Sequence, residues 1–433
     1  MTPQSSFMVL AAIDPRRAAH LRRLLTSMND EPGQVNAGNV LIPFRQFENL
    51  HFARLLIIDD TTQEDRRVYG LPDQPYPSYL AFLGDVDGDS DAFLEEASTR
   101  ASKGLRELFS CCEGFSSSTD LLTWMRQHST PSAAGYVNWR GRTVRSVREN
   151  AALYESLERY VDANAAKLAE LPPEATHAAL QQYVQAERSA GRLTLTPENP
   201  TPVGWTITNL LHLIGVPLLL LIASPLLLIV GVLFVIRLRS LEKSDQETCW
   251  RVDQAYSNAL ASIEDQDVTN QFSALGGVKP GFVRLWTLTF VLLIIDYTAR
   301  HIYTRGRLAR VRTIHFARWV WLDSRQRVIF MSNYDGSLEA YMDDFINKVG
   351  FGLNVVFSNG IGYPRANWLV LDGCKDERKF KEYLRRHQLP TEVWYKAYPG
   401  LTAVDLERNA SIREGIDSNS MSEAEARGWI GLL

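Results

Sequence analysis

His51-Phe-Ala-Arg54 occurs a second time in the chain, letter for letter, as His315-Phe-Ala-Arg318. Each copy is followed by four apolar residues and then by an aspartate, Asp59 or Asp323. An internal repeat indicates that the chain contains two copies of one structural unit, so we extended the match in both directions.

The match continues far beyond the tetrapeptide. Residues 79–115 align with residues 327–363 without a gap, and the glycines, prolines and aromatic residues that follow align after a change in loop length. Upstream, Phe7 and Pro15 correspond to Phe272 and Pro280. We therefore interpret residues 7–152 and 272–411 as two copies of one unit.

Hydrophobic periodicity indicates what one unit folds into. In the first copy it predicts strands and helices in the order strand, helix, strand, strand, helix, strand, with one extra helix: 7–13, 18–28, 51–59, 79–86, 90–109, 119–128 and 135–139. This is the ferredoxin-like βαββαβ order. The predicted fold class is α+β, with two tandem ferredoxin-like repeats packed together and a helical, membrane-inserting insert between them.

The pentapeptide Gly84-Asp-Val-Asp-Gly88 fits a GxxDG pattern. Here the sequence resembles the dye-decolourising peroxidases, haem proteins with two ferredoxin-like halves, and the resemblance places the motif aspartate at Asp87. The second copy departs from the pattern at Ser332, and no histidine (His301, His315 or His387) lies in a matching motif for an axial haem ligand. More generally, the duplicated unit is similar to the dimeric α/β-barrel superfamily, which implies a fold and not an activity.

The insert contains thirty residues without a formal charge, 207–236. A membrane span needs roughly 20 apolar residues, so we predict a membrane segment over 205–239. Pro217 and Pro225 divide it, which leaves open a kinked helix or a hairpin that turns at 223–225. The expected membrane-anchoring residues are Trp205, Leu218, Leu226, Arg237, Arg239 and, in a second apolar helix, Trp286.

That second apolar helix is predicted over 283–303, where the first copy has an arginine-rich amphipathic helix. A helix that is apolar all round needs a second surface to bury against, and a membrane or another subunit would provide it. Either both segments cross the bilayer, or 207–236 enters and leaves one leaflet while 283–303 is partly embedded. We favour the second, monotopic arrangement because it keeps all the basic flanking residues on the cytoplasmic side, where we expect the soluble domains.

Composition excludes several classes of partner. The net charge of −4 offers no basic surface for nucleic acid. The four cysteines form no CxxC pair and no metal-type spacing with histidine, so no metal site is predicted. The expected partners are a lipid bilayer and a further copy of the chain.

The candidate polar site is the duplicated set His51, Arg54, Asp87, His315, Arg318 and Asp335. Antiparallel pairing of the second and third strands of each unit should bring Asp87 near His51 or Arg54, and Asp335 near His315 or Arg318. One interpretation is a pair of structural contacts that hold each hairpin; the other is a catalytic site kept in one copy.

The sequence therefore predicts the following division: repeat one, 1–152; helical linker, 153–204; membrane segment, 205–239; amphipathic connecting helix, 240–271; repeat two, 272–411; C-terminal tail, 412–433. No reaction is evident. The leading hypothesis is a membrane-anchored protein that binds an apolar, lipid-like ligand or a protein partner between its two sheets. The alternatives are a haem-dependent peroxidase or other oxidoreductase acting on membrane-derived substrates, and a structural oligomer.

Overall fold

A computed structural model describes residues 1–247 and 251–433; Cys249 lies outside the described residues. The protein is a mixed α+β structure. Its main strands are β1 Gln4–Ala12, β2 Leu50–Ile58, β3 Tyr79–Asp87, β4 Ala134–Val137, β5 Thr269–Gly277, β6 Ile314–Leu322, β7 Arg327–Asp335 and β8 Val393–Lys396.

The principal helices lie between and after these strands. They are α1 Ala18–Thr26, α2 Ser90–Arg100, α3 Ser102–Phe109, α4 Leu121–Gln127, α5 Val144–Ala169, α6 Pro173–Ser189, α7 Val203–Ser244, α8 Gln254–Ala261, α9 Phe282–His301, α10 Leu338–Phe357, α11 Glu377–His387, α12 Ala403–Asp417 and α13 Glu423–Ile430. Minor elements are a short helix Gln63–Val68, 3-10 turns at Phe44–Gln46, Asp323–Arg325 and Gly373–Lys375, and two-stranded ribbons that pair Asn29–Glu31 with Gln34–Val35 and Ala366–Asn367 with Leu371–Asp372. The strands and helices expected in the first copy are present at these positions.

The eight main strands form two antiparallel sheets that exchange their last strands. The first sheet has the order β1-β3-β2-β8 and the second the order β4-β6-β7-β5. Strand β8, from the second half of the chain, pairs with β2 so that Tyr395 lies opposite Ala53. Strand β4, from the first half, pairs with β6 so that Tyr136 lies opposite Ala317. Each copy of His-Phe-Ala-Arg is thus paired with the final strand of the other half of the chain.

The two sheets pack face to face through an apolar layer. This layer contains Met8, Leu56, Ile58, Ala81 and Leu83 of the first sheet and Leu275, Val320, Leu322, Ile329 and Met331 of the second. Side chains alternate across a strand, so the same strands present their other apolar residues to the helices outside. Burial of each large aliphatic side chain contributes roughly 1.5–3 kcal/mol, which favours the face-to-face arrangement.

Helices cover the outer face of each sheet. Helices α1 to α4 pack on the first sheet in one large cluster, and α9, α10 and α11 pack on the second. A separate helical cluster joins α5, α6, α12 and α13. The region predicted as a C-terminal tail therefore contains a packed helix, with Trp429 buried in that cluster.

Helix α7 is continuous over 42 residues and passes through both Pro217 and Pro225. The hairpin interpretation placed a turn at 223–225, but the chain there is helical and the Ser224 hydroxyl donates to the carbonyl of Leu221 at 2.7 Å. A hydroxyl bonded to the preceding turn satisfies its own polarity within the helix. The helix also extends to Ser244, so the first part of the segment predicted as a connecting helix belongs to α7, and the remaining helix there is the short α8.

Both ends of α7 contact the folded body. Near its start, His212 Nδ1 lies 2.8 Å from His301 Nε2 at the end of α9. Immediately after its last residue, Asp245 accepts hydrogen bonds from Lys279 at 2.7 Å and from Arg284, in the first turn of α9, at 2.5 Å. Between these two contacts, the large apolar side chains of 210–236 are mostly exposed.

Candidate functional site

The predicted histidine–aspartate contacts are present in both halves. His51 Nε2 lies 2.9 Å from Asp87 Oδ1, and His315 Nε2 lies 2.6 Å from Asp335 Oδ1. Both histidines are about 2% exposed. Each occupies an irregularity in strand pairing, between Leu50 and Phe52 in β2 and between Ile314 and Phe316 in β6. A bulge redirects a side chain, which is how each histidine reaches its aspartate.

The second oxygen of each aspartate caps a helix. Asp87 Oδ2 accepts from the backbone N–H of Val144 at 2.8 Å, and Asp335 Oδ2 accepts from that of Ala403 at 2.7 Å. These are the first residues of α5 and α12, where unpaired N–H groups favour an anionic acceptor. Both carboxylates are therefore fully engaged in joining a strand, a histidine and a helix. This arrangement agrees with the structural interpretation of the two pairs.

Arg54 and Arg318 lie apart from these histidines and cross the interface between the sheets. Arg54 donates to the carbonyls of Phe272 and Ser332, the hydroxyl of Ser273 and the side-chain oxygen of Asn333. Arg318 donates to the carbonyls of Phe7 and Gly84 and to the carboxylate of Asp85. Arg54 of the first sheet thus donates to the second sheet, and Arg318 of the second sheet donates to the equivalent positions of the first.

The charges in this interface are asymmetric. Asp85 and Asn333 occupy equivalent positions in β3 and β7, so the carboxylate of Asp85 binds Arg318 directly and reaches Arg54 only through the amide of Asn333. Desolvation and the nearby charge of Arg318 lower the pKa of Arg54 to about 9. These donors and acceptors bind one another and fill the space between the sheets.

An apolar cavity of about 300 Å³ lies instead on the outer side of the second sheet. Strands β4, β6 and β7 form its floor, and helices α9 and α10 form its walls. Its lining is largely aliphatic and aromatic: Ala134, Gly135, Tyr136, Val291, Ile294, Ile295, Thr298, Tyr303, Leu308, Ala309, Ala317, Trp319, Phe330, Phe345, Val349, Phe351, Gly352, Leu353, Val355, Val356 and Phe357. We refer to it as the apolar cavity.

Two features of α10 shape this cavity. Val349 has φ −140° and ψ 24°, which interrupts the regular helix beside the cavity. Gly352 follows, and a Cβ placed there would meet no atom within 4 Å. Phe351 is 63% exposed and Ile294, on α9, is 41% exposed, so the cavity reaches the surface between the two helices. The arrangement can accept an apolar molecule of modest size.

The sequence predicts a ligand site between the two sheets. The aliphatic layer and the arginine network occupy the space between the sheets. Trp394 stacks on Phe52, and its ring lies 5.1 Å from the Arg54 guanidinium. The space for a ligand arises on the opposite face of the second sheet.

The lining of the apolar cavity offers few groups that could bind haem iron. The described residues that line it include no histidine, cysteine or methionine, and tyrosine (Tyr136 and Tyr303) is the one axial-ligand type among them. Asp87, the aspartate that the GxxDG pattern singles out, is committed to His51 and to the start of α5. Burial also raises the pKa of the adjacent Cys111 and Cys112 thiols, which disfavours their reactive thiolate forms.

A polar cleft adjoins the apolar cavity. It has a volume of about 560 Å³ and lies between the edge strands β1 and β4, with Trp205, Asp296 and Arg300 over it and Arg140 at its side. Gly135 and Tyr136 line both spaces. We call this second space the arginine cleft.

Helices α7 and α9 are each long and apolar enough to cross a membrane, judged by length and composition. Of the predicted anchoring residues, Leu218, Leu226 and Trp286 are 51%, 65% and 48% exposed. Arg237 is exposed, whereas Trp205 is half-buried at the arginine cleft. Arg239 pairs with the buried Glu242 at 2.8 Å and contacts Trp368, so it is held within the folded body.

No family model, curated protein or solved structure matches this chain. The assignment of a function therefore depends on the geometry of the cavity, the cleft and the exposed helices.

Sequence reasoning missed the apolar cavity and Arg140. The cavity residues come from six separate elements, and only their packing leaves a space. Arg140 lies just after β4 and just beyond the predicted strand 135–139, and no motif surrounds it. The one sequence signal for the cavity was the apolar surface of α9. We interpreted that surface as a contact with a membrane or another subunit, and in the structure it also forms a wall of the cavity.

Proposed function

We propose that this protein is a membrane-surface protein that binds an apolar, lipid-like ligand in the apolar cavity. The observation that carries the proposal is that helix α9 forms one wall of the cavity and also contacts the exposed apolar helix α7. Tyr297 on α9 donates to the carbonyl of Leu213 at 3.0 Å. A ligand that leaves a bilayer beside these helices would meet the cavity mouth at Ile294 and Phe351.

A monotopic arrangement suits this geometry better than a crossing. Helix α7 would extend about 63 Å if straight, well beyond a hydrocarbon core of about 30 Å. Its two ends contact His301 and Arg284, which lie roughly 25 Å apart along α9. Since α9 is itself packed on the second sheet, both ends of α7 lie on one body and on one side of a membrane. The exposed central part of α7 then enters a single leaflet.

Membrane attachment is tested by flotation of the full chain with liposomes. We expect the wild-type chain to float, and the double substitution Leu219→Lys with Leu228→Lys to leave most of the protein unbound. These side chains are 67% and 72% exposed, so the change should not disturb the folded body. A matched control adds two lysines to exposed positions of α6, Gln182→Lys with Gln185→Lys. Equal flotation of all three proteins would refute a membrane role for α7.

Ligand binding is tested by substituting Gly352, whose missing side chain leaves room in the cavity. Gly352→Leu should fill the space and improve helix propensity by up to about 1 kcal/mol, so loss of binding would not reflect unfolding. Gly428→Leu on α13 is the matched control, because a Cβ there also meets no atom within 4 Å. We expect a fluorescent acyl probe to bind the wild type and the control, and to bind Gly352→Leu at least about tenfold more weakly. Equal binding to all three would exclude this cavity.

We also propose that the two halves are duplicated ferredoxin-like units arranged as in the dimeric α/β-barrel superfamily. The support is the equivalent position of His51 and His315 at strand irregularities, of Asp87 and Asp335 at helix starts, and of Arg54 and Arg318 across the sheets. The exchange of β4 and β8 explains why the two units remain in one chain, since neither unit completes its own sheet.

The oxidoreductase alternative stays a prediction, and the cavity lining gives it no histidine, cysteine or methionine as an axial ligand. An absorption spectrum of the purified protein after haem supplementation tests it, because a Soret band with stoichiometric iron would revive it. The cytoplasmic orientation of the domains and the oligomeric alternative also stay predictions.

A further inference from the structure

The arginine cleft and the apolar cavity meet at strand β4. Gly135 and Tyr136 line both spaces. On α9, Ile294, Ile295 and Thr298 face the cavity while Asp296 and Arg300 face the cleft. The apolar cavity therefore adjoins, across β4 and α9, a polar cleft that contains two arginines.

Arg140 has an unsatisfied guanidinium. It makes no hydrogen bond or ion pair of standard geometry with any residue in 1–247 or 251–433, and its Nε is buried without a partner. Burial and the neighbouring charge of Arg300 lower the pKa of Arg140. A half-buried guanidinium that lacks a partner costs free energy unless an anion binds it.

Arg300 is held in place without being neutralised. Its Nε donates to Asn209 Oδ1, on α7, at 2.8 Å, and no carboxylate in the described chain forms an ion pair with it. The opposing charges of the cleft are Asp296, whose Oδ1 accepts from Gly135 N–H at 3.3 Å, and Asp91, which is paired with Arg126. Two arginines against Asp296 leave one positive charge in excess.

We propose that the apolar cavity and the arginine cleft form one site for a single-chain anionic amphiphile, such as a fatty acid or lysophosphatidate. The acyl chain lies in the cavity, and the carboxylate or phosphate head contacts Arg140 and Arg300. This inference rests on the proposed function and adds the chemical class of the ligand. A planar guanidinium presents two N–H groups that match either head in a bidentate manner.

The position of the cleft beside α7 supports a ligand taken from a bilayer. Trp205, in the first turn of α7, lines the cleft, and indole rings favour the interface between headgroups and hydrocarbon. Arg300 and Asn209 connect α9 to α7 at the same level. The head of the amphiphile would then remain at the interface while its chain turns into the protein.

The test uses the full chain in nanodiscs of zwitterionic phosphatidylcholine. A fatty acid carrying a photoreactive diazirine on its chain is compared with its methyl ester, which has the same chain and no charge. We expect the acid to bind about tenfold more tightly than the ester, which is the size of a charge-assisted hydrogen bond. Crosslinks should fall on cavity residues of α10, between 345 and 357.

Substitutions then separate head from tail. Arg140→Gln should reduce binding of the acid about tenfold and leave the ester unchanged, and Arg140→Lys should retain part of the preference. Arg145→Gln, at an exposed position on α5, is the matched control and should have no effect. If lysophosphatidate competes with the probe and inorganic phosphate alone does not, the acyl chain is required for binding. If lysophosphatidate binds more tightly than the fatty acid, the ligand is a phospholipid derivative; the reverse order indicates a fatty acid.

Each outcome decides between the two proposals. If Gly352→Leu abolishes crosslinking of both acid and ester, but the wild type binds them equally, the cavity stands and the anionic head is refuted. If neither probe crosslinks to the cavity, both proposals fail. If crosslinks fall only on the exposed surface of α7, or if Arg140→Gln lowers binding of the ester as much as that of the acid, the arginine cleft is not a headgroup site.

Discussion

Arg54 and Arg318 occupy equivalent positions in the two copies of His-Phe-Ala-Arg, and each donates hydrogen bonds to the backbone of the opposite sheet. Arg54 binds the carbonyls of Phe272 and Ser332, and Arg318 binds those of Phe7 and Gly84. The interface between the sheets is therefore held by reciprocal polar contacts as well as by the aliphatic layer.

The carboxylate of Asp85 should dominate the stability of this interface. Asp85→Asn leaves two buried guanidinium groups without a carboxylate, and we expect it to lower the free energy of unfolding by about 3–5 kcal/mol. Asn333 is the equivalent residue, so the double substitution Asp85→Asn with Asn333→Asp moves the carboxylate to the other side. We expect the double variant to recover most of the loss in urea denaturation. Additive losses would show that the two positions are not equivalent.

The two histidine–aspartate pairs should contribute similar stability. Asp87→Ala and Asp335→Ala each remove a histidine contact and a helix cap, and we expect each to cost about 2–4 kcal/mol. Thermal unfolding measures both. A large loss for one substitution and none for the other would contradict a common structural role.

Strand exchange predicts effects that cross between the halves of the chain. The N–H of Ala397 donates to the carbonyl of His51 at 2.9 Å, and that of Asn138 donates to the carbonyl of His315 at 2.9 Å. Proline lacks this donor. Ala397→Pro should therefore increase hydrogen exchange in β2, and Asn138→Pro should increase it in β6, although each mutated residue belongs to the other half. Each variant is the control for the other. If hydrogen exchange increases only in the half that carries the substitution, the pairing of β8 with β2 and of β4 with β6 is contradicted.

The contact at the end of α7 should give a pH-dependent stability. Desolvation lowers the pKa of Lys279 to about 8 from 10.5. Between pH 8 and pH 10.5, Lys279 is protonated in the unfolded chain and largely deprotonated in the folded chain. The free energy of unfolding should therefore rise with pH over this range, by about 3 kcal/mol in total. The measurement is unfolding by denaturant from pH 7.5 to 10.5, relative to Lys279→Met, which should lack this component. A difference between the two proteins that does not vary with pH would refute it.

The sequence predicted much of this arrangement and failed at identifiable points. Antiparallel pairing of β2 with β3 follows from the βαββαβ order, so the approach of His51 to Asp87 could be predicted. The exchange of β4 and β8 could not, because pairing within a half and pairing between halves have the same local pattern. Pro217 and Pro225 were read as possible turn residues, yet the segment on both sides is equally apolar and the helix continues. The apolar cavity depends on the interruption at Val349 and on the missing side chain of Gly352, and neither effect has a signature in periodicity.

The attachment of α7 at His301 and at Arg284 has a consequence for biogenesis. A segment that begins and ends on one folded body encloses no part of the chain that must be carried through the bilayer. Under the proposed monotopic arrangement, the body would acquire its native sheets in aqueous solution and then settle onto a finished membrane, without passage through a protein-conducting channel. The depth of immersion would be fixed by the length of helix between the two attachment points.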